Sequence, residues 1–192
     1  MDALKRTSPA SPARTGVWIG IAAITMSFAA YTSALVVRQG AAPDWRHFRL
    51  PPILFLNTAL LLASSGTLEL ARRPLVRKAP RAIVSGSEGV RWLALTLALG
   101  LLFLAGQVVA WRELAAQGLY LSTNPSSAFF YVFTVLHALH LLGGVAALGY
   151  VMGRLHASVA GLPAAALEAA SLYWHFMGVL WLYLLLVLAL RL

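Results

Sequence analysis

The sequence predicts an all-α integral membrane protein: a bundle of five transmembrane helices, with the N-terminus cytoplasmic and the C-terminus on the outer, periplasmic side. Two observations predict the bundle. Hydrophobic residues make up 60% of the chain and charged ones 11%, a composition outside the range of ordinary water-soluble domains. The apolar residues also gather into five runs, each long enough, at about 1.5 Å per residue, to cross a hydrocarbon core about 30 Å thick. A third observation sets the orientation. With the N-terminus inside, ten Lys and Arg lie in cytoplasmic segments and five on the far side, the asymmetry described by the positive-inside rule.

Residues 1–15 read as a polar arm. Lys5, Arg6 and Arg14 stand there among Ser, Pro and Ala, a segment too short and too interrupted by proline to fold alone. Residues 16–192 then form a single membrane domain. Its first span, about 16–37, is too long for the core of a secretory signal and is expected to remain in the mature chain. The second, about 51–71, opens on Pro51 and Pro52, which a first helical turn tolerates because its N–H groups have no intrahelical acceptor. Asn57, Thr58, Ser64, Ser65, Gly66 and Thr67 follow, mostly small or hydroxylic residues that let helices approach and hydrogen-bond across the contact. Glu69 stands four residues before Arg73, the spacing of an interfacial ion pair. Arg72, Arg73, Arg77, Lys78 and Arg81 make the next loop the most basic in the chain.

The third span, about 90–111, contains Gln107, whose amide needs a partner inside the protein. Trp111, Arg112 and Glu113 at its end read as interfacial anchors. Asn124 and Pro125 mark a turn into the fourth span, about 128–152. There His137 and His140 project from one side at i, i+3, too deep to reach water, so that side should face protein, a lipid headgroup or a cofactor. Gly143, Gly144 and Ala147 supply a flat surface for a neighbouring helix. In the fifth span, about 168–190, Glu168, Ser171, His175 and Gly178 recur at spacings of three and four and are expected to point inward. Trp174, Trp181 and Tyr183 fall to other faces.

Several function classes are excluded or disfavoured. The absence of cysteine removes disulfides, thiolate metal sites, thiol catalysis and covalent c-type haem attachment through protein sulfur. The formal charge of +9 comes from residues spread over loops between apolar spans, so a nucleic-acid partner is not expected. Three intramembrane histidines raise the question of haem or metal ligation. Two imidazoles at i, i+3 cannot flank one haem, His175 lies at a different depth from His137, and no carboxylate or cysteine completes a metal set. There is no phosphate-binding glycine loop, activated nucleophile or carboxylate pair. No catalytic, cofactor-binding or metal residue is therefore expected. Asn57, Gln107, His137, His140, His175 and Glu168 are the candidates for interhelical or lipid polar contacts.

Three segments in order carry a family resemblance. LNTALLLASSGTLELA (56–71) looks like a fourth helix, GLLFLAGQVVAWRELAAQGLYLSTNPSSAFFYVFTVLHALHLLGG (100–144) like a fifth and sixth, and YWHFMGVLWLYLL (173–185) like the last. Together they resemble subunit III of the haem-copper terminal oxidases, the cytochrome c oxidase group, in a short five-helix bacterial form covering about Val17 to Leu190. Seven-helix members begin with two further helices that wall a lipid-filled cleft, and this chain starts at what would be their third. Ile24 stands near the position of that helix's buried glutamate, Ala110 replaces another acidic residue, and HALH replaces an HGxH-like pair.

The resemblance implies a non-redox subunit of a respiratory oxidase that passes electrons from cytochrome c to oxygen and translocates protons. It would pack on catalytic subunit I beside the copper-bearing subunit II. Haem and copper would belong to those partners, with phospholipid bound to this subunit, cytochrome c reached only through the complex, and the bacterial inner membrane as its location. The alternatives are an accessory subunit of a nitric oxide reductase or quinol oxidase, and an independent haem-binding membrane protein.

Overall fold

The computed structural model describes residues 12–41, 44–77, 88–156 and 164–192. These residues form five α-helices and no strand: α1 (Pro12–Ala41), α2 (Ile53–Arg77), α3 (Glu88–Ala116), α4 (Pro125–His156) and α5 (Ala164–Arg191). All five are long and apolar enough to cross a membrane. Each is longer than its expected span, because hydropathy marks the hydrocarbon core whereas backbone hydrogen bonding continues into the interface; α2 nevertheless starts at Ile53, so Pro51 and Pro52 precede the helix instead of forming its first turn. α1 starts at Pro12, within the expected arm, whose residues 1–11 lie outside those described. α2 runs past Arg72 and through Pro74 to Arg77.

Neighbour relations give a ring of four helices, α2–α3–α4–α5, with α1 laid in the outer groove between α4 and α5. The diagonal pairs α2/α4 and α3/α5 do not meet along their backbones, so the centre must be filled by side chains. α2 and α3 are the most closely apposed pair. Three contacts set their register: the Thr67 and Thr96 hydroxyls lie 2.8 Å apart, Gly89 faces Leu75, and Gly106 faces Asn57. Glu69 pairs with both Arg72 (3.2 Å) and Arg73 (3.7 Å), rather than with Arg73 alone.

At one end of the bundle the segment 44–50 lies across the last turn of α5. Trp45 Nε1 and Gln39 Nε2 donate to the Arg191 carbonyl (3.1 and 3.3 Å), and the Phe48 N–H donates to the Leu192 carbonyl (2.9 Å). These donors satisfy carbonyls that a helix end leaves without intrahelical partners. Arg38 holds the segment's start through two bonds to Asp44 (3.0 and 2.9 Å).

The turn read at Asn124–Pro125 is the start of α4. Asn124 Oδ1 accepts from the Ser127 N–H at 2.8 Å with Pro125 as the first helical residue, an N-cap whose orphan donor is satisfied. Asn124→Ala should therefore cost about 1 kcal/mol. The check is the unfolding midpoint in mixed micelles, where Asn124→Asp should recover most of the loss.

Candidate functional site

α5 supplies the centre of the ring. Its fully buried stripe is Trp174, Trp181, Leu184 and Leu188, with Met177 completing the three-and-four spacing. This corrects the expected stripe of Glu168, Ser171, His175 and Gly178 by roughly a third of a turn, at about 100° per residue. Ser171 and Gly178 are buried at its margin, His175 is half-buried and Glu168 is exposed. The physical reason is volume. The diagonal helices do not meet along their backbones, and large side chains, the two indoles with Phe103 and Met177 among them, fill the gap.

Each tryptophan joins three helices. Trp174 donates from Nε1 to Ser64 Oγ on α2 at 3.1 Å, and its ring lies between Gly100 on α3 and Gly144 on α4. A Cβ at Gly100 would come within 2.6 Å of the indole, and one at Gly144 within 3.2 Å. Trp181 donates to Thr58 Oγ1 on α2 at 3.0 Å. Its ring centre lies 4.9 Å from that of Phe103 on α3, edge to face, and 5.1 Å from that of His137 on α4. The two hydroxyls pass their own protons to their own helix, Ser64 to Leu61 at 2.7 Å and Thr58 to Leu54 at 2.8 Å. No polar atom of the two indole–hydroxyl pairs is left unmatched.

Around Trp181 three sequence-predicted residues come to one level. Asn57 lies over Gly106, next to Gln107; Phe103, one turn from Gln107, contacts His137. Asn57, Gln107 and His137 are 0%, 1% and 0% exposed, so none reaches lipid from inside the ring. Their amide and imidazole atoms also have no hydrogen-bond partner among the described residues, so the direct interhelical bonds expected of them are not formed.

His140 departs from its neighbour. It is half-buried, its Nδ1 lies 2.7 Å from the Leu136 carbonyl, and its ring faces Phe28 of α1 at 6.0 Å. Tyr173 donates to the His140 carbonyl at 2.9 Å, joining α5 to α4. The two histidines thus serve different contacts, His137 the ring interior and His140 the α1 junction. His175 belongs to the other end of the bundle, within reach of the charges of Glu69 and Arg72. Among the described residues no group of three or more His, Cys, Asp or Glu is placed to hold a metal ion.

Sequence reasoning missed the tryptophan keystones. The signal was present in the seven-residue spacing of Trp174 and Trp181 and the matching pair Thr58 and Ser64 on an antiparallel helix.

This arrangement covers nearly the whole chain, and so does the match that identifies it. A family model described as cytochrome c oxidase subunit III matches residues 21–190. The chain belongs to that family. Relatives agree: cytochrome c oxidase subunit 3 of Corynebacterium diphtheriae is 31% identical over 147 residues, covering 76% of this chain and 69% of the relative. A probable cytochrome c oxidase subunit 3 of Mycobacterium leprae is 34% identical over 168 residues (82% and 75%), and the subunit 3 of Synechocystis is 28% identical over 174 residues (88% and 71%). The chain is a multi-pass membrane protein, and its bacterial relatives point to the cell membrane. The matched region contains both keystone tryptophans and the buried layer of Asn57, Gln107 and His137.

Proposed function

We propose that this chain is subunit III of a bacterial haem-copper oxidase, a structural, non-redox component of a complex that carries electrons from cytochrome c to oxygen with proton translocation. In this reading it packs on catalytic subunit I, beside copper-bearing subunit II, and binds phospholipid. The observation that carries the reading is the family match over residues 21–190. Two features support it. The large polar-capable aromatic side chains at the centre are committed to internal packing, and α1 and α2 leave apolar residues such as Ile19, Met26, Phe55 and Leu62 exposed for lipid or partner helices. The charge asymmetry supports a cytoplasmic N-terminus, with segment 44–50 on the outer side.

The test is purification through a tag on this chain in mild detergent, with an optical spectrum and mass spectrometry of what accompanies it. Haem absorption together with a haem-bearing catalytic subunit and a copper-binding subunit is the expected result. Haem retained by the isolated chain would overturn the non-redox assignment.

A substitution at the α1 junction sharpens the test. His140→Leu removes the imidazole that faces Phe28 and its bond to the Leu136 carbonyl. Recovery of this subunit in the purified complex should fall, while haem absorption per catalytic subunit stays unchanged. A shifted haem spectrum would instead place His140 in the redox chemistry.

A further inference from the structure

A second feature lies at the end of the bundle that carries Leu192, on the side where α3 and α4 meet, and no part of the helical ring uses it. α3 ends in a Schellman turn. Gly118 adopts φ 75°, its N–H donates to Ala115 at 3.0 Å, and the Leu119 N–H donates to Leu114 at 3.0 Å. The turn reverses the chain so that residues 119–123 fold back beside the last turns of α3. Internal bonds hold them there: Tyr120 N–H to Thr123 Oγ1 (2.9 Å), Thr123 Oγ1 to the Gly118 carbonyl (3.0 Å) and Ser127 Oγ to the Tyr120 carbonyl (2.7 Å).

Between this loop and the helices lies an open cleft of about 540 Å³. Its walls are mainly apolar, with Val108, Trp111, Leu121 and Tyr131 among them. Three aromatic residues line it, Trp111, Tyr120 and Tyr131, and the polar ends of two are already used, since Trp111 Nε1 donates to Thr134 (2.9 Å) and the Tyr131 hydroxyl to the Leu119 carbonyl (2.9 Å). Trp111 and Tyr131 therefore present ring faces to the cleft. Arg112 and Ser122 also line it, and Arg112 forms no ion pair among the described residues. Glu113, next along α3, is exposed and is not part of the lining.

Val108 is one turn below Arg112 on α3, about 6 Å further into the apolar part of the span. The cleft thus has a cationic end at the interface and an apolar end beneath it, the polarity of a single anionic lipid. We propose that it binds one anionic phospholipid of the adjoining leaflet. The phosphate would be held by the Arg112 guanidinium and the Ser122 hydroxyl, with the upper acyl chain against Val108, Leu121 and the Trp111 ring. Charge complementarity selects this occupant: an exposed arginine at the membrane surface without a carboxylate partner attracts phosphate, and its planar donors suit two phosphate oxygens at once. The proposal rests on the reading of this chain as a lipid-embedded subunit III, and gives that lipid binding a site.

The experiment uses the complete chain within its purified complex, reconstituted into phosphatidylcholine vesicles. These contain a trace of phosphatidylglycerol bearing a photoactivatable diazirine in the acyl chain, with the same diazirine on phosphatidylcholine as control. Peptide mapping after irradiation is expected to find phosphatidylglycerol adducts on residues 108–131, several-fold above the phosphatidylcholine probe. Arg112→Gln should reduce them about tenfold, the loss expected for one charge-assisted contact, while Arg112→Lys retains most. Adducts elsewhere on the chain should not change. Equal labelling by the two lipids, or labelling unaffected by Arg112→Gln, would overturn the site. So would labelling of the free chain that vanishes in the complex, since a protein partner would then cover the cleft. Arg112 is exposed, so the unfolding midpoint of Arg112→Gln should match that of the unaltered chain. Haem content and subunit co-purification are read in the same samples, which separates failure of the lipid site from failure of the oxidase assignment.

Discussion

Trp174→Ala should be the most destabilising single truncation in the bundle, lowering stability by about 3–5 kcal/mol. The indole is completely buried, and the walls beside it are Gly100 and Gly144, which have no side chains with which to fill the space left behind. In a membrane the cost comes from lost packing contacts more than from water, because the interior of the bilayer is itself apolar. The cavity stays open for the same reason that the native contact is tight. Trp174→Phe should cost less. It keeps most of the ring and loses the 3.1 Å bond to Ser64, whose hydroxyl still donates to Leu61, a loss of about 1 kcal/mol from the hydrogen bond. Trp18→Ala is the control. Trp18 is half exposed on α1, and its removal should change stability by no more than about 0.5 kcal/mol. The measurement is unfolding in mixed micelles titrated with sodium dodecyl sulfate and followed by far-ultraviolet circular dichroism, which does not depend on tryptophan emission. Equal losses for Trp174→Ala and Trp18→Ala would show that Trp174 is not a keystone.

The same contrast explains what could be read before the structure. The five helices were legible because an apolar run of membrane length has few other uses. Burial of Asn57, Gln107 and His137 was legible because an amide or imidazole in such a run is costly against lipid. The face of α5 was not. In a soluble helix, polar residues mark the outside, but lipid is as apolar as the protein interior, so hydropathy does not separate the two sides of α5. Reading Glu168, Ser171 and His175 as markers of the inner face therefore turned the helix too far. Side-chain size was the better marker, with the two indoles entering the centre of the ring and glycines facing Trp174. The partners of the buried polar groups were also not legible. Among the described residues the expected helix-to-helix bonds of Gln107 and His137 are absent, whereas the bonds that do cross between helices include those from Trp174, Trp181, Trp111 and Tyr173, beside the Thr67–Thr96 hydroxyl pair. An indole N–H or phenol at the end of a rigid ring reaches a neighbouring helix, and an amide on a short stem on one helix often does not.

Gly100→Val is the second large effect, expected to destabilise the bundle by about 2–3 kcal/mol through overpacking. The atoms in its way belong to the Trp174 ring, which is held between Gly100 and Gly144 and by the bond to Ser64, so it cannot step aside. Closeness alone would rank Gly106 higher, since a Cβ there would meet the Asn57 amide oxygen before anything else. That atom ends a side chain with two torsions and, among the described residues, no hydrogen-bond partner to lose. Asn57 can turn, and alanine adds helix propensity worth up to about 1 kcal/mol. Gly106→Ala should therefore cost less than Gly100→Val. The decisive comparison is the double variant. With Trp174 already reduced to Ala, valine at position 100 projects into the vacated space, so its cost should fall close to zero and the two losses should not add. Unfolding midpoints of the two single variants and the double variant test this directly. Strict additivity would mean that Gly100 is required by something other than the indole.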